Sequence, residues 1–240
     1  MINIVIPMAG LGSRFSKADY KLPKPFIDVL GKPMIARVME NLSVSDAHYT
    51  LIARKEHIAE FPECFEDLEK NYPVTIIGID KVTAGPACTV LHAHRAINND
   101  TPILIANSDQ LVDMDFSDMI KDSRTRKLMG SILTFPATDP KWSFAKVDAD
   151  GYLLEAKEKV PISDQATVGI YYFERGRDFV EGALDMIAAN DTTNNEFYVV
   201  PIYNYLVKLG QKFGIYSISE DVMHGLGTPD DLNDYLALKS

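Results

Sequence analysis

Along the first hundred residues, short apolar runs alternate with stretches whose apolar positions recur every three or four residues. The runs at 2–7 (INIVIP), 48–54 (HYTLIAR), 74–79 (VTIIGI) and 102–107 (PILIAN) are β-branched or almost continuously apolar and read as strands. Helical spacing marks 34–43, 57–70 and 87–97, the second broken near Pro62. Apolar strands separated by helices imply a parallel sheet covered on both faces. Beyond Asp109 the pattern changes. Segments 130–135, 143–156 and 166–173 read as strands with few helices between them, and DADG at 148–151 marks a hairpin turn. Two helical stretches follow near 176–189 and 199–209, then a late strand around 212–218. The expected fold class is α/β: a Rossmann-like, doubly wound, mostly parallel sheet with a mixed second half. No repeat, low-complexity tract or Pro/Gly/Ser linker divides the chain, so residues 1–240 are expected to form a single domain.

Composition narrows the function classes. Apolar residues make up 46% and charged residues 24%, an ordinary soluble balance, and no apolar run approaches the length of a membrane span. The N-terminus lacks a basic segment and a cleavage site, so the expected location is cytoplasmic. Net charge is −10, which argues against general nucleic-acid binding. Within this acidic chain, residues 11–32 reverse the sign, with Arg14, Lys17, Lys21, Lys24 and Lys32 against Asp19 and Asp28, as a small-anion site would. Cys64 and Cys88 fit neither a disulfide framework nor a zinc pattern and read as idle thiols. The two histidines of HAH (92–94) do not share a helix face, so no metal site is read there.

The basic segment begins in a glycine turn after the first strand, MAGLGSRF at 8–15. A dinucleotide fingerprint requires a third glycine where Phe15 stands, and a Walker loop requires a Gly-Lys-Ser/Thr ending that is absent. What remains is a short turn whose backbone N–H groups can face a phosphate chain, followed by the planar, permanently charged fork of Arg14. Ten residues on, Lys24 stands between Pro23 and Pro25, which should hold it on a stiff, extended piece. Together Arg14 and Lys24 suggest a convergent cationic clamp.

These residues, AGLGSRF followed by PKPFIDVLGKPMI, resemble the signature of the sugar-phosphate nucleotidyltransferases (NDP-sugar pyrophosphorylases), which join a nucleoside triphosphate to a phosphorylated acceptor and release pyrophosphate. TAGPACTVL at 83–91, IANSDQ at 105–110, Glu158-Lys159, the segment 194–206 and HGLGTPDDL at 224–232 extend the resemblance over most of the chain. It implies a nucleotidyltransferase (GT-A-like) fold with a nucleotide-binding half at about 1–110 and an acceptor-binding half at about 111–240. It implies Arg14 and Lys24 as catalytic residues, and nucleotide contacts from Met8, Ala9, Gly10, Leu11, Gly12, Ser13, Gly85, Pro86, Ala87 and Ser108. Acceptor contacts would come from Glu158, Lys159, Gly169 and Glu196, and Asp109 would hold Mg²⁺. Within the family, DPKWSFAKVDADG, PISDQATVGIYYF and EFYVVPIYN resemble enzymes of capsule and surface-polysaccharide pathways. That narrower likeness implies CTP as nucleotide and L-glutamine phosphate as acceptor.

The chain departs from the family at Gly225, where many members carry a second metal-binding aspartate, and Asp221 and Asp230 are the nearest displaced acids. No Ser/His/Asp or Cys/His arrangement is found. None is needed, because a phosphate nucleophile is already largely ionised near neutral pH. Two other readings stay open. The Asp-x-Asp at 113–115 is a device some glycosyltransferases use to hold a metal and a nucleotide-sugar, and Gly225 would suit a regulator that binds nucleotide without turning it over. Partner partition reads as nucleoside triphosphate and small phosphorylated acceptor, with no nucleic acid and no membrane; oligomeric state is not readable.

Overall fold

The computed structural model describes residues 1–239. In chain order the elements are β1 (Ile2–Pro7), α1 (Ser13–Ser16), β2 (Asp28–Val29), β3 (Lys32–Pro33), α2 (Met34–Asn41), β4 (Ala47–Arg54), α3 (Lys55–Glu60), α4 (Pro62–Asn71) and β5 (Val74–Ile79). There follow α5 (Pro86–Leu91), α6 (His94–Ile97), β6 (Ile103–Ala106), β7 (Gln110–Val112), α7 (Phe116–Thr125), β8 (Gly130–Pro136), β9 (Phe144–Val147), β10 (Leu153–Lys157) and β11 (Gln165–Phe173). The chain ends with α8 (Gly176–Ala188), α9 (Ile202–Lys208), β12 (Gly214–Ser217), β13 (Met223–Gly225) and α10 (Pro229–Leu238).

One large sheet runs β10-β9-β11-β6-β1-β4-β5, with β8 joined to β11 and β12 to β8. Its first half, β6-β1-β4-β5, is wholly parallel, and β11 then enters antiparallel to β6, β8 and β9. The parallel part followed by a mixed part is the order the apolar pattern predicts. Alternation along each strand divides the core between two faces. On β1, Ile4 and Ile6 join one apolar cluster with α2 and α7, while Val5 joins the other with α5, α8 and α9. All three of these side chains are fully buried, and the one polar residue of the strand, Asn3, accepts a hydrogen bond from the buried Thr50 hydroxyl at 2.9 Å. A parallel sheet places its ligand crevice outside the carboxyl ends of the strands, here just after Pro7, Ile79 and Ala106.

Two predicted elements differ in detail. The helix expected over 87–97 is interrupted at His92 and Ala93 and forms two short pieces. The segment around Lys24 is not extended: Lys24–Phe26 forms a single 3₁₀ turn, closed by the Phe26 N–H donating to the Pro23 carbonyl at 2.8 Å. Phe26 is buried edge-on against Phe65, 4.8 Å between ring centroids, so the turn is pinned to the core. Stiffness at Lys24 therefore comes from apolar anchoring as well as from the flanking prolines.

Candidate active site

Two adjoining hollows open at the carboxyl ends of the parallel strands. The first, of about 320 Å³, is lined by Ala9, Gly10, Gly85, Pro86, Ser108, Asp109 and Glu196, with Thr83, Thr89 and Asn107 completing its walls. The second, of about 230 Å³, is lined by Gln110, Trp142, Ser143, Glu158, Thr167, Gly169, Tyr171 and Tyr198. Pro7, Pro86 and Asn107 border both, so the two form one continuous trough.

The glycine turn bounds the first hollow. Gly12 lies in the left-handed region at φ 58° and leads into α1. Among the described residues, no hydrogen bond within the protein uses the backbone N–H of Gly10, Leu11, Gly12, Ser13 or Arg14. Five consecutive donors without a partner, on a partly exposed turn, can take an anion with little reorganisation. The Lys24 ammonium is brought directly against Asp109 Oδ2, across 85 residues of sequence, and lies 5.7 Å from the centre of the Phe15 ring. That pair links Lys24, which lines a groove along the glycine turn, to Asp109, which follows β6 and lines the first hollow.

Gly85 sets the opposite wall. Its φ of 130° belongs to a region that side chains rarely enter, and a Cβ there would stand 2.5 Å from both the nitrogen and the oxygen of Phe197. The close approach is stitched by two backbone bonds: the Phe197 N–H donates to the Ala84 carbonyl at 2.8 Å and the Ala87 N–H to the Phe197 carbonyl at 3.0 Å. Gly169 plays a similar part between the hollows. Its φ is 89°, and a Cβ would stand 2.2 Å from Asn107 Nδ2.

In the second hollow Glu158 is only 8% exposed and accepts a hydrogen bond from the Ser143 hydroxyl. Burial raises its carboxyl above the ordinary range, more than the Ser143 bond and the Lys159 charge lower it. At the rim, Lys159 Nζ donates to the Tyr198 hydroxyl at 3.2 Å, and that hydroxyl donates to Glu196 Oε2 at 2.5 Å. Burial and the Glu196 carboxylate together push the Tyr198 phenol far up, so it remains a donor.

Several residues expected at the site sit elsewhere. Met8 is buried in the core, and Ala87 is buried with its N–H already committed to Phe197, which leaves no side-chain surface for nucleotide. Leu11 and Gly12 line a separate groove with Lys21, Lys24 and Arg54 on the far side of the glycine turn. Ser13 and Arg14 line neither hollow; Arg14 is exposed and makes no ion pair among the described residues. The clamp does not converge on the hollows: Arg14 stands outside, and Lys24 meets the first hollow only through Asp109. Glu196, expected with the acceptor residues, lines the first hollow, and its neighbour Tyr198 lines the second. Lys159 reaches the second hollow only through Tyr198.

The acids around the expected metal position also rearrange. Gly225 pairs with Gln110 in the β13–β7 ladder and has open space where a side chain would stand. Neither Asp221, engaged by the Ser219 hydroxyl, nor Asp230 takes its place. Asp231 is the acid that approaches: a Cβ on Gly227 would lie 3.5 Å from Asp109 Oδ2 and 3.6 Å from Asp231 Oδ2. Among the described residues no group of three His, Cys, Asp or Glu side chains gathers as a metal cage. Two carboxylates flanking a glycine gap, one already holding an ammonium, nevertheless fit a hard divalent cation that keeps water and phosphate ligands.

The Asp-x-Asp at 113–115 is absorbed by structure. Asp115 caps α7, accepting from the Ser117 N–H at 2.8 Å, and Asp113 pairs with His224 at 3.0 Å and Lys239 at 3.4 Å. Neither lines a hollow, which removes the feature that favoured a glycosyltransferase.

Over 220 residues, 89% of this chain and 58% of the relative, the sequence is 22% identical to mannose-1-phosphate guanyltransferase beta-B of Xenopus laevis. The chain spans about half the length of the curated relatives it matches. Its fold superposes on the nucleoside-diphosphate-sugar pyrophosphorylase of Vibrio cholerae RC9 with a TM-score of 0.84 and 26% identity, covering 98% of this chain and 99% of that one. It also superposes on the inositol-1-phosphate CTP transferase of T. maritima with a TM-score of 0.75 and 13% identity, covering 98% and 94%. The model of the nucleotidyl transferase family matches residues 4–203, and the chain belongs to that family.

Proposed function

We propose that the protein transfers a nucleotidyl group from a nucleoside triphosphate, CTP in our reading, to a phosphorylated small molecule, L-glutamine phosphate, and releases pyrophosphate. The product would be a CDP-linked precursor for capsule polysaccharide. The observation that supports the class is the Lys24–Asp109 pair beside a hollow lined by Gly10, the first of five consecutive free backbone N–H donors. It concentrates cationic and donor groups where a triphosphate chain would lie, in a protein that is otherwise strongly acidic.

The chemistry asked of the protein is modest. An acceptor phosphate attacks the α-phosphorus, and the bond to the β,γ-pyrophosphate breaks; no proton must be removed from the nucleophile. The glycine turn orients the triphosphate through its N–H groups, and Lys24 neutralises charge on the α-phosphate as it develops. Arg14, whose N–H is the last of those donors, would serve the leaving pyrophosphate with its guanidinium. Nucleobase and ribose would occupy the wall at Gly85, Pro86 and Ser108, and the acceptor would occupy the second hollow, its phosphate drawn by Lys159. Mg²⁺, held by Asp109 with Asp231 in place of a side chain at position 225, would supply further neutralisation of the triphosphate.

A sugar 1-phosphate in place of the amino-acid phosphate is the second reading, favoured by the likeness to a nucleoside-diphosphate-sugar pyrophosphorylase along the whole chain. Pyrophosphate release from CTP, UTP, dTTP, GTP and ATP, each paired with L-glutamine phosphate and with several sugar 1-phosphates, separates the two. Turnover of CTP with L-glutamine phosphate alone is the expected result; turnover confined to sugar phosphates removes the glutamine assignment and keeps the class.

A further inference from the structure

Tyr198 lines the second hollow, and its hydroxyl is where side chains from two distant segments meet. Lys159 Nζ donates to it at 3.2 Å, and it donates to Glu196 Oε2 at 2.5 Å. Glu196 lines the first hollow, so this chain of bonds runs from the wall of one hollow to the rim of the other.

The two ends of the chain differ in rigidity. The 196–198 segment is held by four backbone bonds. Thr193 and Glu196 each donate an N–H to the other's carbonyl at 3.0 Å, Phe197 donates to Ala84 at 2.8 Å, and Ala87 donates to Phe197 at 3.0 Å. Val199 and Val200 then enter the core. Lys159 has no such support. It is exposed, and its backbone lies in the left-handed region at φ 55°. Among the described residues, both contacts of its ammonium are to Tyr198: the hydroxyl, and the ring centre at 5.2 Å.

A lysine side chain carries about 2 kcal/mol of rotamer entropy. A support that fixes the ammonium beforehand removes part of that cost from the binding of an anion. Tyr198 takes one of the three ammonium hydrogens, and two remain for a phosphate. Glu196 improves the hold. It draws the phenol hydrogen to itself, which leaves the oxygen's lone pairs to Lys159 and polarises them.

We infer that Tyr198 is a positioning residue: it holds Lys159 at the second hollow for the acceptor phosphate, and Glu196 tightens that hold through the Tyr198 hydroxyl. The inference rests on the proposed reading of the second hollow as the acceptor site. Loss of the hydroxyl should raise the acceptor KM roughly 3- to 10-fold, the scale of one exposed hydrogen bond with part of the lysine's ordering. Because the ammonium holds the acceptor phosphate equally before and during transfer, kcat should stay within about twofold of wild type.

The test follows steady-state pyrophosphate release by wild type, Tyr198→Phe, Lys159→Met, Glu196→Gln and their pairwise combinations. The acceptors are L-glutamine phosphate and several sugar 1-phosphates, each with the preferred nucleotide. Phenylalanine keeps the ring, and a melting curve on each variant confirms the fold. Glu196→Gln, which leaves Tyr198 in place, tests the same chain of bonds if the phenylalanine variant does not fold. Tyr198→Phe should raise the acceptor KM in the wild-type background and change it by less than about 1.5-fold once Lys159 is methionine, because nothing is left to position. Glu196→Gln should raise the acceptor KM in wild type and not in Tyr198→Phe. Equal effects of Tyr198→Phe with and without Lys159 overturn the positioning role and leave the acceptor site standing. A Glu196→Gln effect that persists in Tyr198→Phe overturns the part given to Glu196. Absence of turnover with every acceptor, or an acceptor KM indifferent to Lys159→Met, overturns the acceptor-site reading and this inference with it.

Discussion

Replacing Gly85 with alanine strikes a wall of the first hollow. The residue sits at φ 130°, and the added methyl would stand 2.5 Å from the Phe197 nitrogen and oxygen, both backbone atoms that no rotamer change can move. A non-glycine residue in this conformation costs about 1–3 kcal/mol. Relief of the clash requires the 84–87 turn and the 196–198 segment to part, which breaks the Phe197–Ala84 and Ala87–Phe197 bonds. Each such bond contributes about 0.5–1.5 kcal/mol. The sum is about 2–6 kcal/mol, read in urea unfolding as a lower midpoint with an unchanged slope. Because Gly85, Pro86 and Glu196 line the first hollow and Tyr198 the second, the KM values for nucleotide and acceptor should rise together. A loss of stability below about 0.5 kcal/mol, the range of a neutral surface substitution, would refute the packing described here.

Gly10→Ala tests the glycine turn from the other direction: nothing stands within 4 Å of its new methyl, so stability should be unchanged, while nucleotide affinity falls if the turn closes on phosphate. Calorimetric titration beside a melting curve reads both. Asn41→Ala removes the two bonds to Val112 and should cost about 1–3 kcal/mol in thermal unfolding, with turnover reduced because β7 follows Asp109. Glu158 titrates above its ordinary value of 4.5 because it is buried, so just above that value the native state holds a proton that the unfolded state has released. Stability therefore falls as pH rises through the raised value, and Glu158→Gln should flatten that slope in unfolding curves taken at a series of pH values.

Much of this architecture is legible in the chain because parallel strands buried on both faces are nearly continuous apolar runs. INIVIP, HYTLIAR and PILIAN lie within one or two residues of β1, β4 and β6. DADG falls at the β9–β10 turn for the same reason of local chemistry, with Gly151 at φ 79°. Elements not foreseen include α1, β2 and β3 and, later in the chain, β7, α7, β13 and α10; they are short or mixed in pattern, and partners distant in sequence hold some of them: Asn41 braces β7, and Asp113 ties to His224 and Lys239. At the site, the glycines, Lys24 and Asp109 are marked by motif and strand position, but the ion pair between Lys24 and Asp109 is not. Side-chain reach leaves no such mark. Arg14 and Lys24 look equivalent along the sequence, each close to a core phenylalanine, but among the described residues only Lys24 has an ion-pair partner, Asp109. Asp231 and Gln110 carry no local signal: the first meets Asp109 across Gly227, and the second lines a hollow built from segments as distant as Tyr198.

The central claim is that Lys24 neutralises the transferring phosphate while pyrophosphate departs. The direct measurement is steady-state pyrophosphate release by Lys24→Ala with the preferred nucleotide and acceptor, on protein whose melting temperature shows that it is folded. The account predicts a fall in kcat of at least roughly 100-fold, the scale of losing one transition-state donor in a shielded site. Pyrophosphate release within a few-fold of wild type by the folded variant would contradict it.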